Sequence, residues 1–134
     1  MRRVTPDSNI LISALMFGGK PLRLLEMALE GDVRLCISDT ILAETLRVLR
    51  DKFGHTAEQL TEAEGYIAAC SERVVPTHVL DVVTSDPDDN RVLECALAAG
   101  SEVVVSGDSD LLQLGSHEGI RIMKISEFLA ESAR

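Results

Sequence analysis

Asp7, Glu44, Asp89 and Asp108 stand where an alternating strand and helix pattern brings side chains to one edge of a sheet. Asp7 follows the strand-like run Val4-Thr5-Pro6, and Glu44 lies in the helix after Val33-Arg34-Leu35-Cys36-Ile37. Asp89 heads the helical stretch 91–99, and Asp108 follows Val103-Val104-Val105-Ser106. In an open parallel sheet the carboxyl ends of the strands share one edge, and ligands bind there where the strand order reverses. Converging carboxylates repel one another by roughly 4 kcal/mol per pair at about 4 Å in a protein-like dielectric. A divalent cation removes that cost, so the spacing predicts a cation site.

Each acid also has an ordinary reading. Asp7-Ser8-Asn9 opens a helix, where Asp and Asn serve as caps, and Ser106-Gly107-Asp108-Ser109-Asp110 reads as a turn plus cap. Glu44 borders the apolar arc beside Ile41 and Val48, which suits a surface acid and an inward one alike. Asp86, Asp88 and Asp89 crowd one helix start, a place the helix dipole favours for any acid. Asp89 is the best placed of the three, one turn before Leu93 on the packed face. Two acidic motifs at two strand ends make coincidence the weaker explanation.

The positioning elements alternate. A first strand ends near Thr5, and a short helix over 9–15 is broken by Gly18-Gly19. Pro21 suits the first turn of a second helix running to residue 30, and Gly31-Asp32 leads into a strand over 33–37. Ser38 or Asp39 caps a helix over 40–52, whose stripe Leu42, Leu46, Leu49 and Phe53 is amphipathic. Thr56-x-x-Gln59 and Thr61-x-x-Glu64 are both capping-box patterns for a helix through 66–69. A third strand is expected at 73–75, a turn-rich loop at 85–88, a helix over 91–99, and a buried strand over 102–106. One helical turn over 110–114, a strand over 120–125 and a helix over 126–133 complete the pattern. Alternation of this kind predicts an α/β domain with a mainly parallel sheet and right-handed crossovers. No repeat or linker interrupts it, so residues 1–134 read as a single domain.

Composition narrows the function classes. At 134 residues with 46% hydrophobic content, the chain can fill a core without disulfides. No Trp, one Tyr and three Phe argue against reading bases on an aromatic platform. The net charge of −9 opposes a polyanionic partner in general, but a cation loaded on the acids inverts the field locally. Arg2, Arg3, Lys20, Arg23, Arg47, Arg50, Lys52 and Arg91 are then available for phosphate contacts. Cys36, Cys70 and Cys95 lack C-x-x-C spacing and read as small core residues. The apolar run 10–17 is too brief for a membrane span, so a cytoplasmic protein is expected.

Asp7-Ser8-Asn9, Glu44, Asp89 with Val92-Leu93-x-x-Ala96, and Ser106-Gly107-Asp108-Ser109-Asp110 resemble, in order and spacing, the PIN-domain ribonucleases. The likeness is to the bacterial branch that supplies the toxins of toxin–antitoxin pairs, and it covers essentially the whole chain. It implies a three-layer α/β/α fold with a central, mainly parallel five-stranded sheet in the order 3-2-1-4-5. It also implies an acidic pocket for magnesium or manganese, endoribonuclease activity on RNA, a homodimer or higher homo-oligomer, and an antitoxin partner. Asp7, Glu44, Asp89 and Asp108 match the family's acidic quartet, and Asn9, Ser106 and Asp110 its supporting polar positions. Pro6 departs from the pattern: it stands where the family has an apolar strand residue, and proline removes a backbone donor from a central strand. Ser8 replaces a threonine, and Leu111 takes a place that is often aromatic.

Oxygen ligands without histidine favour magnesium or manganese over zinc, and His55, His78 and His117 lie outside all four motifs. Asp7, Asp89 and Asp108 are the expected metal ligands, and Glu44 orients a water or completes the shell. Asn9 and Ser106 orient the carboxylates by hydrogen bonds. Two rivals are a catalytically silent PIN-like binding scaffold and a receiver-like signalling domain. The second draws support from Lys124, but it needs an aspartate at the end of the third strand, and Arg73-Val74-Val75-Pro76-Thr77 offers none.

Overall fold

The computed structural model describes residues 1–133. The chain runs β1 (Arg2–Pro6), α1 (Ser8–Phe17), α2 (Gly19–Leu29), β2 (Val33–Ile37), α3 (Asp39–Asp51), α4 (Ala57–Cys70) and β3 (Ser71–Arg73). It continues through α5 (Pro87–Ala99), β4 (Val103–Val105), α6 (Ser109–Leu114), β5 (Ser116–His117), β6 (Ile120–Met123) and α7 (Ile125–Ser132). The sheet order is β3-β2-β1-β4-β6-β5. Its first five strands are parallel, in the order expected, and β5 adds a two-residue antiparallel edge.

That edge was not anticipated. Glu118 and Gly119 join β5 to β6 with φ of 47° and 83°, the twin positive φ of a tight hairpin turn. Asn-Gly or Asp-Gly would have announced it, whereas glutamate rarely adopts that region. The third strand also lies earlier than expected, at Ser71–Arg73 rather than 73–75. Its place is set by pairing with Leu35, Cys36 and Ile37, and Val75, favoured by propensity, is left exposed.

Period-two alternation builds the layers. In β4, Val103 and Val105 enter a core shared with Leu11 of α1, Leu24 and Leu25 of α2 and Phe128 of α7. Val104 points the other way, into a core with Val92, Leu93 and Ala96 of α5 and Leu111 of α6. A third cluster, around Ile12, Leu49 and Ala63, joins α1, α3 and α4. Cys36, Cys70 and Cys95 are free thiols and buried. Ser38 caps α3, and Thr56, of the two candidate boxes, opens α4 with both reciprocal bonds formed.

Pro6 costs the sheet little. The β1 to β2 ladder ends at Val4 and Leu35, while Pro6 still lies opposite Val105 of β4. Hydrogen bonds alternate sides along a strand, and the next residue, Asp7, donates its N–H to the Val105 carbonyl at 3.1 Å. The donor that Pro6 lacks would therefore face the side where pairing has stopped. Asp7 leaves the sheet anchored to β4.

Candidate active site

The strand order reverses between β1 and β4, and the chain leaves these two strands through Asp7 and Ser106-Gly107-Asp108. Asp7 is the N-cap of α1, where Oδ1 accepts from the Ile10 N–H at 2.9 Å. Its Oδ2 accepts a hydrogen bond from the Ser106 hydroxyl. The same Ser106 oxygen accepts from the Asp108 N–H at 2.9 Å. Asp108 is in turn the N-cap of α6, accepting from the Leu111 N–H at 3.0 Å. The capping reading and the functional reading of these acids are thus both satisfied, because a cap occupies only part of a carboxylate's acceptor capacity.

The third wall comes from α5. Pro87 occupies its first turn and Asp86 is its N-cap, with Oδ1 accepting from the Asp88 N–H at 3.1 Å. One oxygen each from Asp86, Asp89, Asp108 and Asp110 lie within 4.8 Å of one another. Asp89 is only 8% exposed, and its Oδ2 finds no hydrogen-bond partner among the described residues. A buried carboxylate grouped with three further carboxylates is a place where a cation offsets both desolvation and repulsion. The donor set, all hard oxygens, fits magnesium or manganese.

Charge behaves accordingly. Burial, opposed by the hydrogen bonds from Ser106 and Ile10 and reinforced by the charges of Asp108 and Glu44, pushes the Asp7 carboxyl up to about 6. Burial, then a shared hydrogen bond with Asp108 and the charges of Asp108, Asp86 and Asp7, pushes Asp89 up to about 8. Burial also pulls at Asp108, but the bond shared with Asp89 and the backbone N–H groups of α6 outweigh it, and its carboxyl sits below the ordinary range. Of the pair, Asp89 is the one that holds a proton when no cation is present. Adjacent carboxyls forced to share a site separate in this way.

Among the expected site residues, Asp89, Asp108 and Asp110 come together, with Asp7 beside them through Ser106. Glu44 is not one of the four clustered acids. It is half-buried in α3 and lines a groove of about 260 Å³ with Thr40, Ala43, Arg47, Asp88 and Arg91. It is near enough for its charge to act on Asp7. Asn9 is exposed on the first turn of α1. Asp88 points to the groove and is exposed, whereas Asp86 joins the acids.

Asn90 is a residue that sequence reasoning passed over. Its Oδ1 accepts from the Val82 and Val83 N–H groups at 2.8 and 2.9 Å, and its Nδ2 donates to the Val83 carbonyl at 2.9 Å. Glu94 accepts from the Leu80 N–H at 2.8 Å, and Arg91 donates to the Leu80 carbonyl at 3.1 Å. One face of α5 therefore ties down the irregular segment that delivers Asp86. The local signal was an Asn one residue past the last acid, in a helix interior where Asn has no intrinsic preference.

The sequence pattern of one family, described as PIN domain, matches residues 3–110. No curated protein matches the chain. Among solved structures, VapBC2 from Rickettsia felis, bound to a DNA fragment from its promoter, superposes with a TM-score of 0.65 at 13% identity, over 90% of this chain and 96% of the other. VapBC-1 from nontypeable Haemophilus influenzae superposes with a TM-score of 0.64 at 13% identity, over 92% and 98%. PAE2754 from Pyrobaculum aerophilum gives 0.61 at 14% identity, over 98% and 90%. At these identities the likeness is one of fold.

Proposed function

The chain belongs to the PIN-domain family, and from that premise we propose that it is a metal-dependent endoribonuclease, the toxin of a toxin–antitoxin pair. In this reading residues 1–134 form one PIN-like nuclease domain. Magnesium or manganese is the cofactor, RNA the substrate, and a cognate antitoxin and a second copy of the chain are the protein partners. The observation that carries it is the buried, unpartnered Asp89 Oδ2 among converging acids at the edge where the sheet order reverses. The fold shared with two VapBC structures supports the toxin assignment. Among the described residues, no helix is long and apolar enough to cross a membrane, and the proposed location is the cytoplasm.

Divalent ions in such sites supply activation of a water and stabilisation of charge on the leaving oxygen of a phosphodiester. The chain's own residues arrange the rest. Asp7, Asp89 and Asp108 would hold the metal, and Glu44 is the fourth catalytic acid, in the groove it lines with Arg47 and Arg91. Ser106 fixes Asp7 and the Asp108 backbone together, so the two strand ends keep one spacing. Asn9 and Asp110 flank the acids as supporting groups.

Purified protein should cleave single-stranded RNA with magnesium or manganese and not with excess EDTA. Asp7→Asn should remain folded and lose most of the cleavage. Undiminished cleavage in EDTA, or by the folded variant, would overturn the metal mechanism. Metal binding without cleavage of any RNA would favour the silent-scaffold reading.

A further inference from the structure

We propose that Arg47 of α3, with Arg91 of α5, binds the phosphates of a single-stranded RNA in the groove between these helices, and that the groove holds backbone without reading bases. The inference rests on the ribonuclease reading above and adds a substrate contact outside the acids.

The fold sorts the basic residues. Arg2 and Arg3 lie at the far end of β1 from Asp7 and pair with Glu131 and Glu72. Arg23 pairs with Glu30 and Arg50 with Asp51, Lys52 lies over the Phe53 ring, and Lys20 belongs to α2, which lends the groove no residue. Arg47 and Arg91 are the cations that line the groove beside Glu44. Arg47 is exposed and forms no ion pair among the described residues. Arg91 is held in place, donating to Glu94 at 2.9 Å and to the Leu80 carbonyl at 3.1 Å, and a guanidinium so bonded keeps further N–H donors.

The groove is a helix face. Thr40, Ala43, Glu44 and Arg47 follow the i, i+3, i+4, i+7 spacing of one side of α3, and Asp88 and Arg91 are one turn apart on α5, which touches α3. The groove adjoins the acids, because Asp88 precedes Asp89 and the charge of Glu44 acts on Asp7. On a chain of net charge −9, a polyanion is best received where cations match the acids locally. Among the described residues that line the groove none is aromatic, so it offers bases no ring to stack on. Contacts to phosphate fix the position of a strand and carry no sequence information.

The test is cleavage kinetics of the whole chain with magnesium, on short single-stranded RNAs of several sequences and over a range of salt. Arg47→Gln should raise KM by about tenfold and lower the salt slope by about one. It should leave kcat within about twofold, the signature of lost ground-state binding, and change every RNA alike. Arg47→Lys keeps the charge and should restore the salt slope. Arg50→Gln, which removes a charge already paired on the same helix, should change KM by less than about twofold. Unchanged KM and salt slope in Arg47→Gln, equal effects of Arg47→Gln and Arg50→Gln, or a loss confined to one RNA sequence would overturn the inference. Cleavage that survives EDTA would overturn the metal mechanism and leave the Arg47 contact standing, whereas a parent that cleaves no RNA would overturn both. Arg47 is exposed, so the melting temperature of Arg47→Gln should match the parent, and Arg91→Gln gives a second reading of KM and salt slope if it does not.

Discussion

At the scale of single residues, the site is a set of carboxyls whose proton affinities have been driven apart. Asp7 at about 6 and Asp89 at about 8 both lie above the ordinary value of 3.8. A group whose folded value is raised stabilises the fold most fully below its unfolded value, and that contribution is lost as pH rises through the folded value. Metal-free protein should therefore lose stability between about pH 4 and about pH 8, most steeply below about pH 6, where both carboxyls contribute. Asp108, with its value lowered, works in the opposite direction and in a separate, more acidic window. The measurement is the melting temperature against pH in EDTA. Asp89→Asn should flatten the upper half of the curve, and saturating magnesium should flatten it for the parent. A parent curve that rises steadily across this range would contradict the burial assigned to Asp89.

At the scale of elements, α5 does two jobs with one helix. Its inner face packs Val92, Leu93 and Ala96 against Val104, while Asn90, Arg91 and Glu94 hold the segment around Leu80, Val82 and Val83. That segment has no strand or helix to satisfy its backbone groups, so the side chains of α5 supply the partners that a ladder would otherwise provide. Asn90→Ala leaves buried backbone groups unpaired and should cost on the order of 3 kcal/mol. Hydrogen exchange at the Val82 and Val83 amides should accelerate before that of β1 or α3, because local openings are cheaper than global ones. Uniform acceleration across the chain would mean that the segment is not an independently opening unit.

For the molecule as a whole, a net charge of −9 and a cluster of acids at one sheet edge store repulsion that a cation releases. Neutralising Asp89, whose carboxyl is pushed up by burial and by its acidic neighbours, should relieve it, making metal-free protein at alkaline pH more stable by on the order of 1 kcal/mol, as functional sites commonly trade stability for activity. The same Asp89→Asn change should erase the magnesium-dependent gain in melting temperature, since a ligand stabilises only the state that binds it. Paired melting curves with and without magnesium decide this. If magnesium shifts parent and variant equally, the four acids act as ordinary surface charges.

The features legible from the chain alone are those governed by neighbours in sequence. Strand-then-cap at Asp7 and at Asp108 is local: a β-branched run followed by a residue that can accept from the next helix's N–H groups. The stripe of α3, the paired capping-box patterns at Thr56 and Thr61 and the mainly parallel character of the sheet follow from the same short-range patterns, whereas the strand order was implied by the family resemblance and the choice of Thr56 was made by the fold. What needed tertiary structure was anything decided by partners far away. Ser106 and Asp7 are separated by 99 positions, and their bond couples the two strand ends. The start of β3 was decided by the ladder to Leu35–Ile37 against the propensity of Val74 and Val75. The β5 to β6 turn forced Glu118 into a conformation its side chain disfavours. Asp86, Asp88 and Asp89 look alike along the sequence because all three suit a helix start. Only the packed orientation of α5 turns Asp86 and Asp89 toward α6 and leaves Asp88 in the groove beside Glu44, since a helix presents residues three apart on one face and the residue between them on another.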